Sequence, residues 1–139
     1  MHFLLDTDHV SLQERGNLTV LARLRVQPPE ALGVSVVTMQ EVLQGRLAVL
    51  NRQQVPDQIL LAYAKLQEAV HFFTRVQVVA FDTRCQHRLE ELRAQGIRIG
   101  TLDLRIAATA LVHDLTLITR NHKDFARVPG LRFESWAEA

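Results

Sequence analysis

Short apolar runs alternate with amphipathic segments along the chain, and this alternation limits the folds open to it more than any other feature. The apolar runs have the length and side-chain character of buried strands. The predicted strands are residues 2–5, 32–36, 76–79, 115–118 and 131–133. The segments between them repeat apolar residues at helical spacing. Strands alternating with helices favour a three-layer α/β/α sandwich around a central, mostly parallel sheet.

The helical segments have recognisable ends. Asn17 is placed to cap a short helix that runs to about Val26, Pro56 to open a long helix, and Gly96 to close another. The predicted helices are residues 9–14, 17–26, 38–50, 56–73, 83–95 and 103–113. We find no repeat and no linker, so residues 1–139 are expected to form one domain.

Composition narrows the class of protein. The hydrophobic fraction is 47% and no apolar run approaches the roughly 18 residues that cross a bilayer. Cys85 is the only cysteine, so a disulfide framework within the chain is excluded, and without an export signal we expect a cytoplasmic protein. The net charge of +1 does not by itself indicate a nucleic-acid-binding protein. Fourteen of the 16 basic residues are Arg, whose planar fork suits phosphate, although a biased genome composition explains this equally well.

Acidic residues follow several of the predicted strands. Asp6 ends the first strand, Glu41 lies one helical turn beyond the second, and Asp103 lies in the first turn of the helix before the fourth. Asn121 and Asp124 follow the fourth strand. Ligands of parallel sheets bind at the carboxyl ends of the strands, so these side chains are expected to meet at one edge.

Most of these residues also have a local explanation. Thr38 and Glu41 have the spacing of a capping box, and Thr101 is placed to cap the helix that carries Asp103. Asp8 is placed to be an N-cap. Asp124 has the surface arginines Arg120 and Arg127 nearby in sequence. Asp6 has no evident capping role.

Carboxylates gathered at one edge repel one another unless a cation offsets their charge. Oxygen ligands suit Mg²⁺, or Mn²⁺. Other chemistries lack their motifs. The six histidines show no zinc spacing, Cys85 has no histidine partner, and no phosphate-binding glycine loop is present.

Three stretches resemble the PIN-domain ribonucleases, and more closely the VapC-type toxins of type II toxin–antitoxin systems. FLLDTDHVS at residues 3–11 resembles the opening strand of that family, and VVTMQEVLQG at 36–45 resembles its second motif. IGTLDLRIAATALVHDLTLITRNHKDFARVPGLRFESW at 99–136 resembles its C-terminal block. The resemblance extends from Leu4 to Trp136, and the order and spacing of the three motifs make it specific.

The resemblance implies a set of site residues. Asp6, Glu41 and Asp103 match the metal-binding acidic positions, and Asn121 stands at the fourth catalytic position, where many relatives have Asp. The departure at Asn121 removes one carboxylate. The resemblance also implies accessory roles near the metal. The accessory candidates are Asp8, Asp124, Thr7 and Thr119.

The same resemblance implies a Mg²⁺-dependent endoribonuclease that hydrolyses RNA phosphodiester bonds. Arg120, Lys123 and Arg127 are the candidate RNA-binding residues, with ordinary solvated surface as the alternative. A VapC-like toxin is expected to form a homodimer and to bind a cognate antitoxin. The helix 56–73 is more apolar than one buried stripe requires, and it is a candidate wall of the antitoxin groove, with core packing as the alternative.

Two other functions remain open at this point. Strand-Asp6-Thr7-Asp8 also resembles the first motif of the haloacid-dehalogenase phosphatases, in which Asp6 would be the nucleophile and Asp8 the acid/base. That family needs a suitably placed lysine and a late acidic pair, which this chain lacks. The third candidate is a PIN fold kept only for binding.

Overall fold

A computed structural model describes residues 1–138. The strands are β1 (Phe3–Leu5), β2 (Leu32–Ser35), β3 (Gln77–Val79), β4 (Thr116–Ile118) and β5 (Phe133–Glu134). The helices are α1 (Thr7–Glu14), α2 (Leu18–Arg25), α3 (Val36–Arg52), α4 (Pro56–Arg75), α5 (Thr83–Ala94), α6 (Thr101–Val112) and α7 (His122–Phe125). A single 3₁₀ turn, Pro29–Ala31, precedes β2.

The five strands form one sheet in the order β3-β2-β1-β4-β5, and every neighbouring pair is parallel. The chain builds outward from β1 to β3 and then returns to place β4 on the other side of β1. The strand order therefore reverses between β1 and β4, which is where ligand sites form in open α/β sheets.

Helices cover both faces of the sheet, as the predicted three-layer sandwich requires. Leu4 belongs to a core cluster shared with α5 and α6, whereas the next residue, Leu5, belongs to a second cluster shared with α1 and α4. Successive strand residues point to opposite faces, so each strand supplies both cores. This explains why the strands are apolar runs without alternation.

Most predicted elements are present, with ends shifted by a few residues. Asn17 caps α2, Pro56 begins α4, and Gly96 follows α5 with a φ of 81°, a conformation open to glycine. The sequence reading missed α7, because four residues show no helical period. No helix among residues 1–138 has the length and hydropathy needed to cross a membrane.

Candidate metal centre

Three carboxylates from separate elements meet at the carboxyl edge of the sheet. Asp6 directly follows β1, Glu41 lies in the second turn of α3, and Asp103 lies in the first turn of α6. One carboxylate oxygen from each residue lies within 4.8 Å of the other two. Because β1, α3 and α6 are far apart in sequence, only the folded chain brings these side chains together.

Asp6 is both the N-cap of α1 and the most buried of the three acids, at 5% exposure. Its Oδ1 accepts a hydrogen bond from the Thr7 amide at 2.8 Å, and its Oδ2 accepts one from the Thr119 hydroxyl at 2.8 Å. Burial, with the charges of Asp8 and Asp103, raises the pKa of Asp6 to about 7 despite these bonds. The absence of a capping role for Asp6 was a wrong prediction, because Asp6 is the single residue between the end of β1 and the start of α1.

The other two acids are half-buried. Glu41 Oε1 accepts a hydrogen bond from the Thr7 hydroxyl at 2.7 Å, so Thr7 is bonded to two of the three carboxylates. Burial, followed by the charges of Glu41, Asp124 and Asp8, raises the pKa of Asp103. Charge crowding therefore accompanies burial at this site, as expected where a cation is to be bound.

Two of the predicted caps are wrong. The N-cap of α3 is Ser35, which accepts from the Val37 amide at 3.0 Å, so Thr38 lies inside the helix and forms no capping box with Glu41. Gly100 occupies the N-cap position of α6, and Thr101 is its first helical residue. The capping explanation for Glu41 is thereby removed.

Asp8 lies beside the cluster but is bonded to other groups. Its Oδ1 accepts from Nδ1 of the fully buried His9 at 2.7 Å, and its Oδ2 accepts from the Arg120 amide at 2.9 Å. Burial opposes ionisation, but these bonds prevail and hold the pKa of Asp8 below its usual range. Asp8 is not the N-cap of α1, since Asp6 is.

His9 joins Asp8 to the end of the chain. Its Nε2 accepts the Trp136 amide proton at 3.0 Å, so Nδ1 carries the ring proton and donates it to Asp8. Sequence reasoning treated the histidines as uninformative and missed this link. No local pattern could have revealed it, because His9 and Trp136 are 127 residues apart.

Asn121 is the N-cap of α7. Its Oδ1 accepts from the Asp124 amide at 3.4 Å, and its Nδ2 donates to Asp124 Oδ2 at 3.2 Å. The charge of Asp124 contributes to the raised pKa of Asp103, which places this carboxylate beside the cluster. The ion pairs considered for Asp124 with Arg120 and Arg127 do not form within residues 1–138. Arg120 instead pairs with Asp8, with 3.7 Å between Arg120 Nε and Asp8 Oδ2.

The candidate RNA-binding residues lie on the same C-terminal block. Arg120, Lys123 and Arg127 are all exposed. The Arg127 guanidinium donates to the Arg98 carbonyl at 3.0 Å, which ties the segment after α7 to the loop before α6. Lys123 lies within α7, next to Asp124.

The residues present fit a hard divalent cation. Two oxygens that share such an ion at about 2.0–2.6 Å are separated by at most about 4–5 Å, which is the spacing found between the three carboxylates. All three candidate ligands are oxygen donors, and one of them is buried beside like charges. This donor set favours Mg²⁺ or Mn²⁺ over softer metals.

Known proteins are similar to this chain in sequence and in fold. The family model described as PIN domain matches residues 4–131. A ribonuclease VapC1 of Rickettsia felis is 51% identical over 132 residues, which cover 94% of this chain and 93% of that protein. The match therefore extends over nearly the full length of both chains.

Two solved structures are similar. A chain of VapBC-1 from nontypeable Haemophilus influenzae has a TM-score of 0.78 at 24% identity, covering 99% of this chain and 100% of that one. A chain of a toxin–antitoxin complex from Klebsiella pneumoniae has a TM-score of 0.73 at 27% identity, covering 98% of each. With a family match across most of its length and the fold those structures share, the chain belongs to the PIN domain family.

Proposed function

We propose that this chain is a Mg²⁺-dependent endoribonuclease and the toxin of a toxin–antitoxin pair. The observation that carries the proposal is the meeting of Asp6, Glu41 and Asp103 within 4.8 Å at the reversal point of the sheet. The 51% identity to a protein named ribonuclease VapC1 supports RNA as the substrate.

Asp6, Glu41 and Asp103 would hold the metal. When bound, a divalent ion supplies a water of lowered pKa and offsets charge on a phosphodiester. Thr7 and Thr119 keep Asp6 oriented, and Thr7 also holds Glu41, so the site is aligned before a ligand arrives. We therefore expect hydrolysis without a covalent enzyme intermediate.

The residues around the three acids have supporting roles in this proposal. Asp8 adds negative charge beside the site while its oxygens bond His9 and Arg120. Asn121 bonds Asp124, so its effect on the reaction is exerted through the placement of that carboxylate. Arg120, Lys123 and Arg127 would contact RNA phosphates, which position a strand without reading its sequence.

The surface of α4 supports a protein partner. Its core-facing residues are Ala62, Ala69 and Phe73, whereas Leu60 and Tyr63 are 69% and 56% exposed. Apolar side chains left outside the core suit an amphipathic segment of an antitoxin. Similarity to a chain of the Klebsiella toxin–antitoxin complex supports such a partner. We also expect two copies of this chain to form a homodimer.

Expression in a bacterium tests the function. Induction of the wild-type chain should arrest growth and produce discrete new RNA ends, and Asp103→Asn should produce neither. Asp114→Asn is the matched control, because Asp114 is exposed and pairs with Arg132 on the surface. Arrest without RNA cleavage would instead favour a binding protein.

A purified sample tests the chemistry. RNA cleavage should stop with excess chelator and return with Mg²⁺ or Mn²⁺. Undiminished cleavage in chelator would contradict the metal-dependent site.

Neither alternative function is supported. The phosphatase reading needs Asp8 as a free acid/base, but both of its oxygens accept hydrogen bonds in this structure. A lost fourth acid, here Asn121, was the expected sign of a protein kept only for binding, but the other three carboxylates still converge. The family and its relatives favour the ribonuclease reading as well.

A further inference from the structure

Two arginines line a cavity beside α6 that the proposed chemistry does not use, and a third arginine bonds the backbone at its edge. Arg93 lies in the last turn of α5, Arg98 lies in the loop before α6, and both line a cavity of about 290 Å³. Arg127 reaches this loop from beyond α7 through its bond to the Arg98 carbonyl at 3.0 Å. We call this feature the arginine cleft and define it by Arg93, Arg98 and Arg127.

The arginine cleft concentrates positive charge on exposed side chains. Within residues 1–138, none of its three guanidinium groups forms an ion pair. The acidic residues of α5 nearest to Arg93 are engaged elsewhere, since Glu90 bonds Gln86 and Glu91 bonds Arg88. Like charges collected around a concave surface repel one another, and an anionic ligand removes that cost.

The arginine cleft adjoins the first turn of α6, which also carries Asp103 of the candidate metal centre. Thr101 and Leu104 line its cavity, and Asp103 lies between them in the same helical turn. On the facing block, Asp124 lies beside Asp103, and Arg127 follows three residues later. An RNA strand that leaves the acidic site along the first turn of α6 would therefore pass Arg93 and Arg98, with Arg127 on the facing segment.

We propose that the arginine cleft binds the phosphate backbone of the RNA strand that flanks the scissile bond. This inference rests on the proposed function and extends it, since it assigns Arg93 and Arg98 a role in substrate binding. Arginine suits the task because its fork pairs with phosphate oxygens. Such contacts carry no sequence information, so the cleft contributes affinity to any single strand.

The test measures RNA binding without cleavage. Fluorescence anisotropy in chelator would compare the wild type with Arg93→Ala/Arg98→Ala, using two short single-stranded RNAs of different sequence. The matched control is Arg52→Ala/Arg84→Ala, which removes the same charge from exposed positions outside the cleft. Thermal melting would verify that all three proteins are folded.

The Arg93→Ala/Arg98→Ala protein should bind both RNAs about tenfold more weakly, while the control binds as the wild type does. The plot of the logarithm of the association constant against the logarithm of the salt concentration should become less steep. Its slope should shrink in magnitude by about 1.4, since each lost phosphate contact on a single strand contributes about 0.7. In cleavage with Mn²⁺, KM should rise and kcat should be unchanged. Restored affinity in Arg93→Lys/Arg98→Lys would confirm that charge is responsible.

Two results would overturn the inference. Equal weakening in the control would show that only net charge matters, and unchanged affinity in Arg93→Ala/Arg98→Ala would show that RNA does not use the cleft. If either result is found while the wild type still cleaves RNA, only the inference about the cleft fails and the proposed function stands. If the wild type neither binds nor cuts RNA, both proposals fall together.

Discussion

At the scale of single residues, Asp6 shows how one side chain serves folding and a candidate site at once. Its carboxylate caps α1 and accepts the Thr119 hydroxyl, yet it is buried among like charges that raise its pKa to about 7. Burying such a group costs free energy, and within residues 1–138 no ion pair with Asp6 offsets that cost. The folded protein is therefore less stable without a metal than a neutral side chain at this position would make it.

Asp6→Asn should abolish RNA cleavage and stabilise the metal-free protein. The amide retains an oxygen for the Thr7 amide and removes the buried charge, so the free energy of unfolding in chelator should rise by about 1–2 kcal/mol at pH 8. Added Mn²⁺ should raise the melting temperature of the wild type but not of the variant. Retained cleavage in Asp6→Asn would contradict the proposed metal site.

Asn121→Asp tests whether residue 121 influences the metal. Its amide now donates to Asp124 Oδ2, and a carboxylate there would face Asp124 with like charge. The variant should melt at a lower temperature in chelator and bind Mn²⁺ more tightly, most visibly at any second, weaker site. Calorimetric titration measures this, and identical stoichiometry and affinity would limit Asn121 to capping α7.

At the scale of elements, the starts of three helices place the acids. Asp6 caps α1, the Ser35 cap starts α3 so that Glu41 lies in its second turn, and Asp103 is the third residue of α6. If such a helix began one residue earlier or later, the carboxylate it carries would point about 100° away around the helix axis. Caps that look purely structural therefore set the geometry of the site.

Ser35→Ala and Asn17→Ala form a matched pair of cap deletions. Each removes one bond to a helix amide, at 3.0 Å in both cases, and each should cost about 1 kcal/mol of unfolding free energy. Only Ser35→Ala should also weaken Mn²⁺ binding, because α3 carries Glu41 and α2 carries no candidate ligand. Equal metal affinity in the two variants would show that the Ser35 cap does not position Glu41.

The cap of α5 has a predictable pH dependence. Hydrogen bonds from the Cys85 amide, and then from Arg84, lower the pKa of Asp82 to about 2 from 3.8. A lowered folded-state pKa gives stability that is present above the unfolded value and is lost as pH falls from about 3.8 toward 2. The advantage of wild type over Asp82→Ala in urea unfolding should therefore shrink between pH 5 and pH 3. A constant difference would contradict the ionised cap.

At the scale of the whole molecule, the C-terminal segment closes the fold onto its beginning. Trp136 is 1% exposed, packs edge-on against Phe3 with centroids 5.0 Å apart, and lies under Arg23. Its amide bonds His9, which bonds Asp8 at the acidic site. The end of the chain is thereby connected to the candidate site through one buried histidine.

Trp136→Ala should lower the free energy of unfolding by about 3–5 kcal/mol, because it leaves a large cavity in the second core cluster. Trp136→Phe keeps much of the packing and should lose less. Urea unfolding of both variants measures the difference. A loss below about 1 kcal/mol in Trp136→Ala would show that the segment contributes little to the core.

The sequence by itself determined the order of strands and helices and, through its motifs, which acids belong together. Apolar runs and helical periods are local properties, so β1 to β5 and the long helices could be predicted within a few residues. Asp6, Glu41 and Asp103 could be selected because parallel strands present their carboxyl ends at a common edge. The short α7 escaped prediction because a single turn has no period to detect.

Only the tertiary structure decided how those acids are held. The predicted caps at Thr38, Thr101 and Asp8 are wrong. The first residue of each helix is set by how the helix packs on the sheet, and residue type alone does not identify the cap. The bonds from Thr7 to Glu41, from Thr119 to Asp6 and from Trp136 to His9 join residues 34 or more positions apart. Such contacts depend on strand order and helix packing, which the interactions of the whole chain select together.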